Sequence, residues 1–289
     1  MNVFEQVRRL MIRELLALGI EANEARAEAK LILEYVSKLS FAEQAVSELN
    51  ELPAAWMDGI NAIVALRKMR RPLQYCLGTT GFYGLNLKVK EGVLIPRSDT
   101  ETLVRVVLDW VRHTKGLNAP LNIAEVGVGA GPITCALLKM LPKCKVWGCD
   151  ISSEAVELTL ENARFYHLED RLDLVLGDWR LILPLSLDIF VTNPPYITQS
   201  QKEHLAKELA FEPSSALFVE DPKGLTFYRE FAELLPKHLK GSECFAAFEI
   251  GDGQAEEVIE IFTDKNWQRI NVHLDFNKLP RVVTASPPS

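Results

Sequence analysis

Leu121-Asn122-Ile123-Ala124-Glu125-Val126-Gly127-Val128-Gly129-Ala130-Gly131-Pro132 begins as a short apolar run of strand length, and 133–140 then repeats apolar side chains at helical spacing. Between them glycine stands at every second position, where the backbone must turn sharply and a side chain would obstruct anything approaching it. Pro132 suits the first turn of the following helix, because the N–H it lacks would have no partner there. Strand, glycine turn and helix in this order open a βα unit whose helix N-terminus faces a ligand.

Working outward, the alternation continues. Strands are expected over 145–149, over 172–176 and over 187–192, with helices over 100–111 and 153–165. Further on come a helix over 225–239, a strand over 244–250, a helix over 254–263 and two closely spaced strands over 270–274 and 281–284. Strands separated by helices pair in parallel with helices on both faces, and the last two, joined by a short turn, add an antiparallel edge.

Asp150 ends the second of these strands, where a carboxylate can accept both hydroxyls of a ribose. Asp178-Trp179 closes the third and offers an adenine one acceptor and one ring. Each feature alone has a plainer reading: a turn packed tightly, a helix-capping carboxylate, a half-buried indole. Together they describe a nucleoside pocket. The spacing G-x-G-x-G is not the dinucleotide G-x-G-x-x-G, so no pyrophosphate needs cradling. S-adenosylmethionine fits that pocket, with Gly127, Val128, Gly129, Ala130, Gly131, Asp150, Asp178, Trp179 and Asn193 as its expected contacts. The expected fold is α/β, the Rossmann-like class I methyltransferase arrangement of a mostly parallel seven-stranded sheet, preceded by a helical bundle.

Asn193-Pro194-Pro195-Tyr196 follows the strand over 187–192, at the carboxyl edge where open α/β sheets bind ligands. Two prolines stiffen the turn, so the Asn193 side-chain oxygen and the Pro194 carbonyl can both accept hydrogen bonds from one NH2 group. The lone pair of a planar amide or aniline-like nitrogen is delocalised and weakly nucleophilic. Gripping its two protons turns that lone pair outward, and fixed in-line placement can supply on the order of 7–11 kcal/mol of the barrier. Asn193, Pro194 and Tyr196 are the expected catalytic residues, and Asn193, Pro194, Pro195 and Tyr196 the expected substrate contacts. The plainer reading is a Pro-Pro turn that ends a strand.

Composition narrows the alternatives. With 289 residues, 48% hydrophobic and 25% charged, the chain can bury a full core and leaves room for a second, smaller domain. The five cysteines form no C-x-x-C pair and the five histidines are scattered, so no metal site is expected and a reduced, cytoplasmic setting is. No apolar run approaches the roughly 18 residues of a membrane span. The net charge of −7 argues against binding driven by nucleic-acid phosphates. Residues 3–69 carry helical periodicity: a first helix to Gly19, a second capped by Asn23, a third opened by the Ser40–Glu43 capping box, and a fourth through Trp56, Ile60, Ile63 and Val64. The basic end Arg67, Lys68, Arg70, Arg71 is expected to be a solvated helix end whose cations suit the dipole, with binding to a partner as the other reading. Residues 72–95 read as a β-hairpin connector.

The chain resembles the glutamine-N5 methyltransferases of bacterial peptide-chain release factors, the PrmC/HemK family. Arg71-Pro72-Leu73-Gln74-Tyr75 with Gly78, Phe82 with Gly84, and Leu94-Ile95-Pro96-Arg97 with Thr100-Glu101 carry the likeness beside the Asn193–Tyr196 turn. So do Glu212-Pro213, Gly224-Leu225 with Tyr228, and Glu249-Ile250-Gly251 with Gln254. The resemblance implies methyl transfer from S-adenosylmethionine to the N5 of the glutamine in the Gly-Gly-Gln motif of class I release factors, with the release factor as partner and neither membrane nor direct nucleic-acid binding. It implies a substrate-docking helical domain over 1–71, a connector over 72–95 and the methyltransferase domain over 96–289. Glu125, Val128, Ala130 and Pro132 depart from the family's commoner residues, and the longer Glu125 is expected to place its carboxylate near the cofactor's amino-acid end. Other readings of the same turn are a ribosomal-protein glutamine, adenine N6 of DNA flipped from the duplex, and a non-catalytic nucleoside-binding scaffold.

Overall fold

The computed structural model describes residues 2–240 and 243–288 and divides into two compact units. The first runs up to Thr79 and adds Lys207–Phe211; the second holds Thr80–Ala206 and the chain from Glu212 onward.

The first unit is helical: α1 (Val3–Ala17), α2 (Ala22–Ser37), α3 (Phe41–Ala45), α4 (Ala54–Lys68) and α5 (Leu73–Leu77). Phe4, Met11, Leu15, Ala29, Ile32, Leu33, Ile60 and Val64 recur at three- and four-residue steps on their helices and share one core. The Ser40–Glu43 capping box forms. Asn23 does not cap α2; the N-cap lies two residues earlier, at Glu21, whose carboxylate accepts the Asn23 N–H at 2.7 Å. The basic end of α4 is also not the solvated terminus its charges suggest. Arg67 is 1% exposed and donates through Nε and Nη2 to the two Glu28 oxygens at 2.9 and 2.7 Å. Glu208 accepts from Arg67 at 3.2 Å and from Arg70 at 2.9 Å, so these two cations meet carboxylates while Lys68 stays exposed. Residues 73–77 form α5 with Pro72 at its N-cap, so the expected hairpin starts later, at Thr79.

The second unit opens with that hairpin, β1 (Thr79–Phe82) and β2 (Leu85–Lys88), followed by α6 (Glu101–Thr114). Then come β3 (Asn122–Val126), α7 (Pro132–Met140), β4 (Lys145–Asp150), α8 (Ser153–Phe165), β5 (Leu172–Leu176), the short α9 (Trp179–Ile182) and β6 (Ile189–Thr192). Two-residue strands β7 (Ile197–Thr198) and β8 (Phe218–Val219) pair with each other, and α10 (Ser214–Leu217) lies between them in sequence. The chain closes with α11 (Thr226–Leu234), β9 (Phe245–Glu249), α12 (Ala255–Asp264), β10 (Gln268–Leu274) and β11 (Pro280–Ser286).

The seven-stranded sheet has the order β10-β11-β9-β6-β3-β4-β5, parallel from β9 through β5, with β11 antiparallel to both its neighbours. Strands β3, β6 and β9 are almost wholly buried, which is why they are mostly apolar and do not alternate with polar residues. One core packs Leu103, Val107 and Leu137 of α6 and α7 under the sheet, and the other stacks Phe231 and Phe262 of α11 and α12 on Phe190 and Phe248. The order reverses beside β3, since the chain leaves β3 for β4 on one side and returns to β6 on the other. The carboxyl ends of β3, β4 and β6 thus meet at one crevice, where such sheets bind ligands.

Candidate functional site

The glycine turn has the backbone its sequence demands. Gly127, Gly129 and Gly131 have φ of +74°, +56° and +76°, a region L side chains rarely adopt. A Cβ at Gly127 or Gly129 would meet nothing within 4 Å, whereas one at Gly131 would press to 2.8 Å from Thr159 of α8. The first two glycines therefore border open space and the third packs against a helix. Thr159 Oγ1 donates to the Gly129 carbonyl at 2.9 Å and Asn162 Nδ2 to the Ala130 carbonyl at 2.8 Å, pinning the turn to α8. Val128 and Ala130 are each 1% exposed, so their side chains point into the protein and only their backbone can reach a ligand. Gly148 in β4 makes room for Val128, whose Cγ1 would lie 2.8 Å from any Cβ there.

Asp150 at the tip of β4 accepts the Gly129 N–H at 3.0 Å and the Ser152 N–H at 3.0 Å. Burial raises its pKa, and those backbone donors oppose the shift. Glu125 does not reach outward. It is 1% exposed, takes a short hydrogen bond from Thr134 Oγ1 of α7 on one oxygen, and has its other oxygen buried without a partner. Burial pushes its pKa up to about 8. Asp178 caps α9, and one carboxylate oxygen accepts from Arg180 N at 3.0 Å and Arg180 Nε at 2.9 Å. Trp179 is 4% exposed and packs on Phe231 with ring centroids 4.9 Å apart, so its indole belongs to the core and offers no open face for stacking. Its Nε1 is buried without an acceptor.

The Asn193–Tyr196 turn leaves β6 next to the end of β3, where Val126 pairs with Thr192. Asn193 Nδ2 donates to Thr100 Oγ1 at 3.1 Å, which leaves Asn193 Oδ1 as the side-chain atom available to a donor. Pro194 is buried and Pro195 half-buried. The Tyr196 hydroxyl lies 3.5 Å from Glu249 Oε1, and burial raises its pKa beyond the ordinary tyrosine range. Gln254 ties the neighbouring loops together: its Oε1 accepts from Gly251 N at 2.8 Å, and its Nε2 donates to Lys223 O at 2.9 Å and Tyr196 O at 3.4 Å. Gly224 and Gly251 lie so close that a Cβ on the first would sit 2.2 Å from Tyr196 O and one on the second 2.8 Å from its ring.

Thr100, Glu249, Gly224 and Gln254 thus support the turn, although sequence reasoning gave them no role in it. Glu249 carried a signal, because a carboxylate at the end of the apolar run Phe245-Ala246-Ala247-Phe248 has to be paid for by its surroundings. Thr100 stands in a segment that carries the family likeness, but nothing in the sequence says that it meets Asn193. Among the described residues no cluster suits a metal ion, and no helix is long and apolar enough to cross a membrane.

Comparison with known proteins agrees with this architecture. Residues 6–78 match the model of the PrmC N-terminal domain and 110–221 that of the methyltransferase small domain. A release factor glutamine methyltransferase of Aquifex aeolicus is 33% identical over 264 residues, covering 91% of this chain and 92% of that protein. A bifunctional methyltransferase of Rickettsia bellii is 32% identical over 291 residues; the match takes in 92% of this chain, which spans 52% of that relative's length. A methyltransferase structure from Pyrococcus furiosus superposes with a TM-score of 0.52 at 13% identity over 79% of this chain and 98% of that one, a likeness of fold. The methyltransferase sheet, the helical N-terminal unit and a full-length relative at this identity together place the chain in the release factor glutamine methyltransferase family.

Proposed function

We propose that this chain transfers the methyl group of S-adenosylmethionine to the side-chain N5 of the glutamine in the Gly-Gly-Gln motif of class I peptide-chain release factors, in the cytoplasm. The observation that carries the reading is the orientation of Asn193. One N–H of its amide is committed to Thr100 and, among the described residues, no side-chain or backbone donor occupies Oδ1, so an acceptor is left over at the turn, and an acceptor suits a primary amide NH2.

The residues present fit the cofactor. Gly127 and Gly129 border open space where any side chain would intrude, and Asp150 stands beside them, held by the Gly129 N–H. The backbone of 127–131, Asp150 and the Asp178 edge would hold it, with Asn193 at the reacting end; Trp179 would contribute from behind, as packing. Bound there, S-adenosylmethionine supplies an electrophilic methyl group on a sulfonium.

The protein's task is then to present the nitrogen. Asn193 Oδ1 and the Pro194 carbonyl each accept one N–H of the glutamine amide, which turns the lone pair out of conjugation. Tyr196 offers its ring to the planar amide. No strong general base is needed, because the nitrogen becomes acidic as it gains positive charge and its proton can pass to Asn193 or to water. The helical unit over 1–71 would grip the release factor, and the net charge of −7 favours a protein acceptor over nucleic acid.

The test is to incubate the protein with methyl-labelled cofactor and a release factor and to map the modified peptide by mass spectrometry. Label on the Gly-Gly-Gln glutamine supports the reading. Label only on a ribosomal-protein glutamine or on duplex adenine, or no label at all, overturns it.

A further inference from the structure

The outer edge of the hairpin is closed by side chains from α8 and its C-cap residue. Strand β2 pairs with β1 on one side, and on the other its backbone meets Tyr166 and Asn162. The Tyr166 hydroxyl accepts the Asn86 N–H at 2.7 Å and donates to the Asn86 carbonyl at 3.1 Å. Asn162 does the same further along the strand: its Oδ1 accepts the Lys88 N–H at 2.8 Å and its Nδ2 donates to the Lys88 carbonyl at 3.1 Å. Alternate residues of a strand turn their N–H and C=O to the same edge, and residues one turn apart share a face of a helix, so the two pairs fall into register. Asn162 also reaches the cofactor turn, because the second N–H of its amide goes to the Ala130 carbonyl at 2.8 Å.

We propose that Asn162 is a positioning residue which, held by Lys88 on one side, holds the Ala130–Gly131 peptide on the other, and so makes the end of the hairpin part of the cofactor site. At 1% exposed its amide is shut off from solvent, and its three partners admit one orientation: turned over, its NH2 would meet the Lys88 N–H and its oxygen two carbonyls. The peptide it grips is the one that closes the turn, since Gly131 N donates to Val128 O at 2.8 Å.

Support from outside matters here because Gly127, Gly129 and Gly131 give the turn a backbone that by itself samples many other shapes. Asp150 holds the Gly129 N–H and Thr159 the Gly129 carbonyl, and Asn162 holds the next carbonyl along. A turn released from Asn162 spends part of its time in other conformations, and the apparent cofactor affinity falls in proportion to the competent fraction that remains. The coupling is reciprocal: a cofactor that steadies the turn steadies the Lys88 backbone through the same amide.

The inference rests on the placement of S-adenosylmethionine at the glycine turn, and its affinity is measured by calorimetry in the parent and three variants. Asn162→Asp still accepts the Lys88 N–H but cannot donate to the Ala130 carbonyl; it and Asn162→Ala are expected to bind the cofactor at least about tenfold more weakly. Tyr166→Phe frees the hairpin at Asn86 and leaves the turn's own contacts in place, so its affinity should stay within about twofold of the parent. Unchanged affinity in Asn162→Asp, or an equal loss in Tyr166→Phe, overturns the inference. In the unmodified protein, hydrogen exchange of the Lys88 N–H should slow at least about fivefold when the cofactor is added, and that of the Asn86 N–H much less. Equal protection at both, or none at Lys88, overturns it even where the Asn162 variants fail to fold. A parent that binds no cofactor sinks the site itself and the inference with it, whereas a parent and Asn162→Asp that bind equally well leave the site standing and remove only Asn162 from it.

Discussion

Gly224 and Gly253 form a matched pair from which the cost of crowding the Asn193–Tyr196 turn can be isolated. Their backbones are nearly the same, with φ of +72° and +76°, but a Cβ at Gly253 meets nothing within 4 Å while one at Gly224 falls 2.2 Å from Tyr196 O and 2.6 Å from Gln254 Nε2. Both Gly→Ala changes pay the left-handed strain, about 1 kcal/mol. Only Gly224→Ala also forces a backbone carbonyl aside, because contact at 2.2 Å with a main-chain atom cannot be relieved by a rotamer change. Overpacking of that kind adds roughly 1–3 kcal/mol. Since the carbonyl belongs to Tyr196, the movement enters the turn that presents the acceptor, and a shift of about 1 Å at such a place can cost about 100-fold in rate. In thermal denaturation Gly253→Ala should lower Tm by roughly 2–4 °C and Gly224→Ala by roughly 4–16 °C. Initial rates should be within about twofold of the parent for Gly253→Ala and depressed about 100-fold for Gly224→Ala at saturating cofactor. Equal Tm shifts and equal rates in the two variants would show that the turn does not depend on this close approach.

Asn193→Ala should abolish turnover yet leave cofactor affinity within about twofold by calorimetry, since the residue's available oxygen serves the acceptor; equal turnover in variant and parent would favour the non-catalytic scaffold. Glu125 has a pKa raised to about 8 from 4.5, so the folded state prefers its neutral form. The stability this lends is present in full below 4.5 and is lost as pH rises towards about 8, levelling off above. Denaturant titrations of Glu125→Gln and parent should therefore diverge across that range, the parent losing ground as pH rises; parallel curves refute the burial argument. In the helical unit, Arg67→Ala strands the buried Glu28 carboxylate and should cost roughly 3–5 kcal/mol, most of it regained in Arg67→Met with Glu28→Leu. Chemical denaturation followed by far-ultraviolet circular dichroism checks this, and a double variant no better than the single one contradicts it.

How much of this could be read from residues alone depended on whether a feature was local. The glycine turn, the strand ending at Asp150 and the Asn193–Tyr196 turn each declare themselves within a few residues, and the strict alternation of strands and helices between them dictates the sheet. What escaped were contacts between distant segments. Thr100 meets Asn193, and Glu249 meets Tyr196, across long stretches of sequence; the second contact follows from the sheet order, which lays β9 beside β6. Trp179 was misread for a related reason: an aromatic residue at a strand end looks the same whether it faces a ligand or, as here, Phe231. Arg67 reads as a helix-end cation until Glu28 and Glu208 are seen to surround it. Asn23 illustrates a smaller ambiguity, since Glu21 and Asn23 can both cap and their competition is settled by where the chain turns.

The segment Lys207–Phe211, which belongs with the helices although it lies deep within the catalytic half of the sequence, changes what a dissection of this protein can mean. The polypeptide passes from one body to the other three times, so removing everything before Thr80 would not liberate an intact enzyme core. It would strip Glu208 of Arg67 and Arg70 and leave a tethered pentapeptide with nowhere to fold, downstream of Tyr196 in the same loop region. Loss of activity after such a cut would therefore not by itself reveal that the helices recognise the substrate; a surface substitution on an intact helical body is the cleaner question to ask.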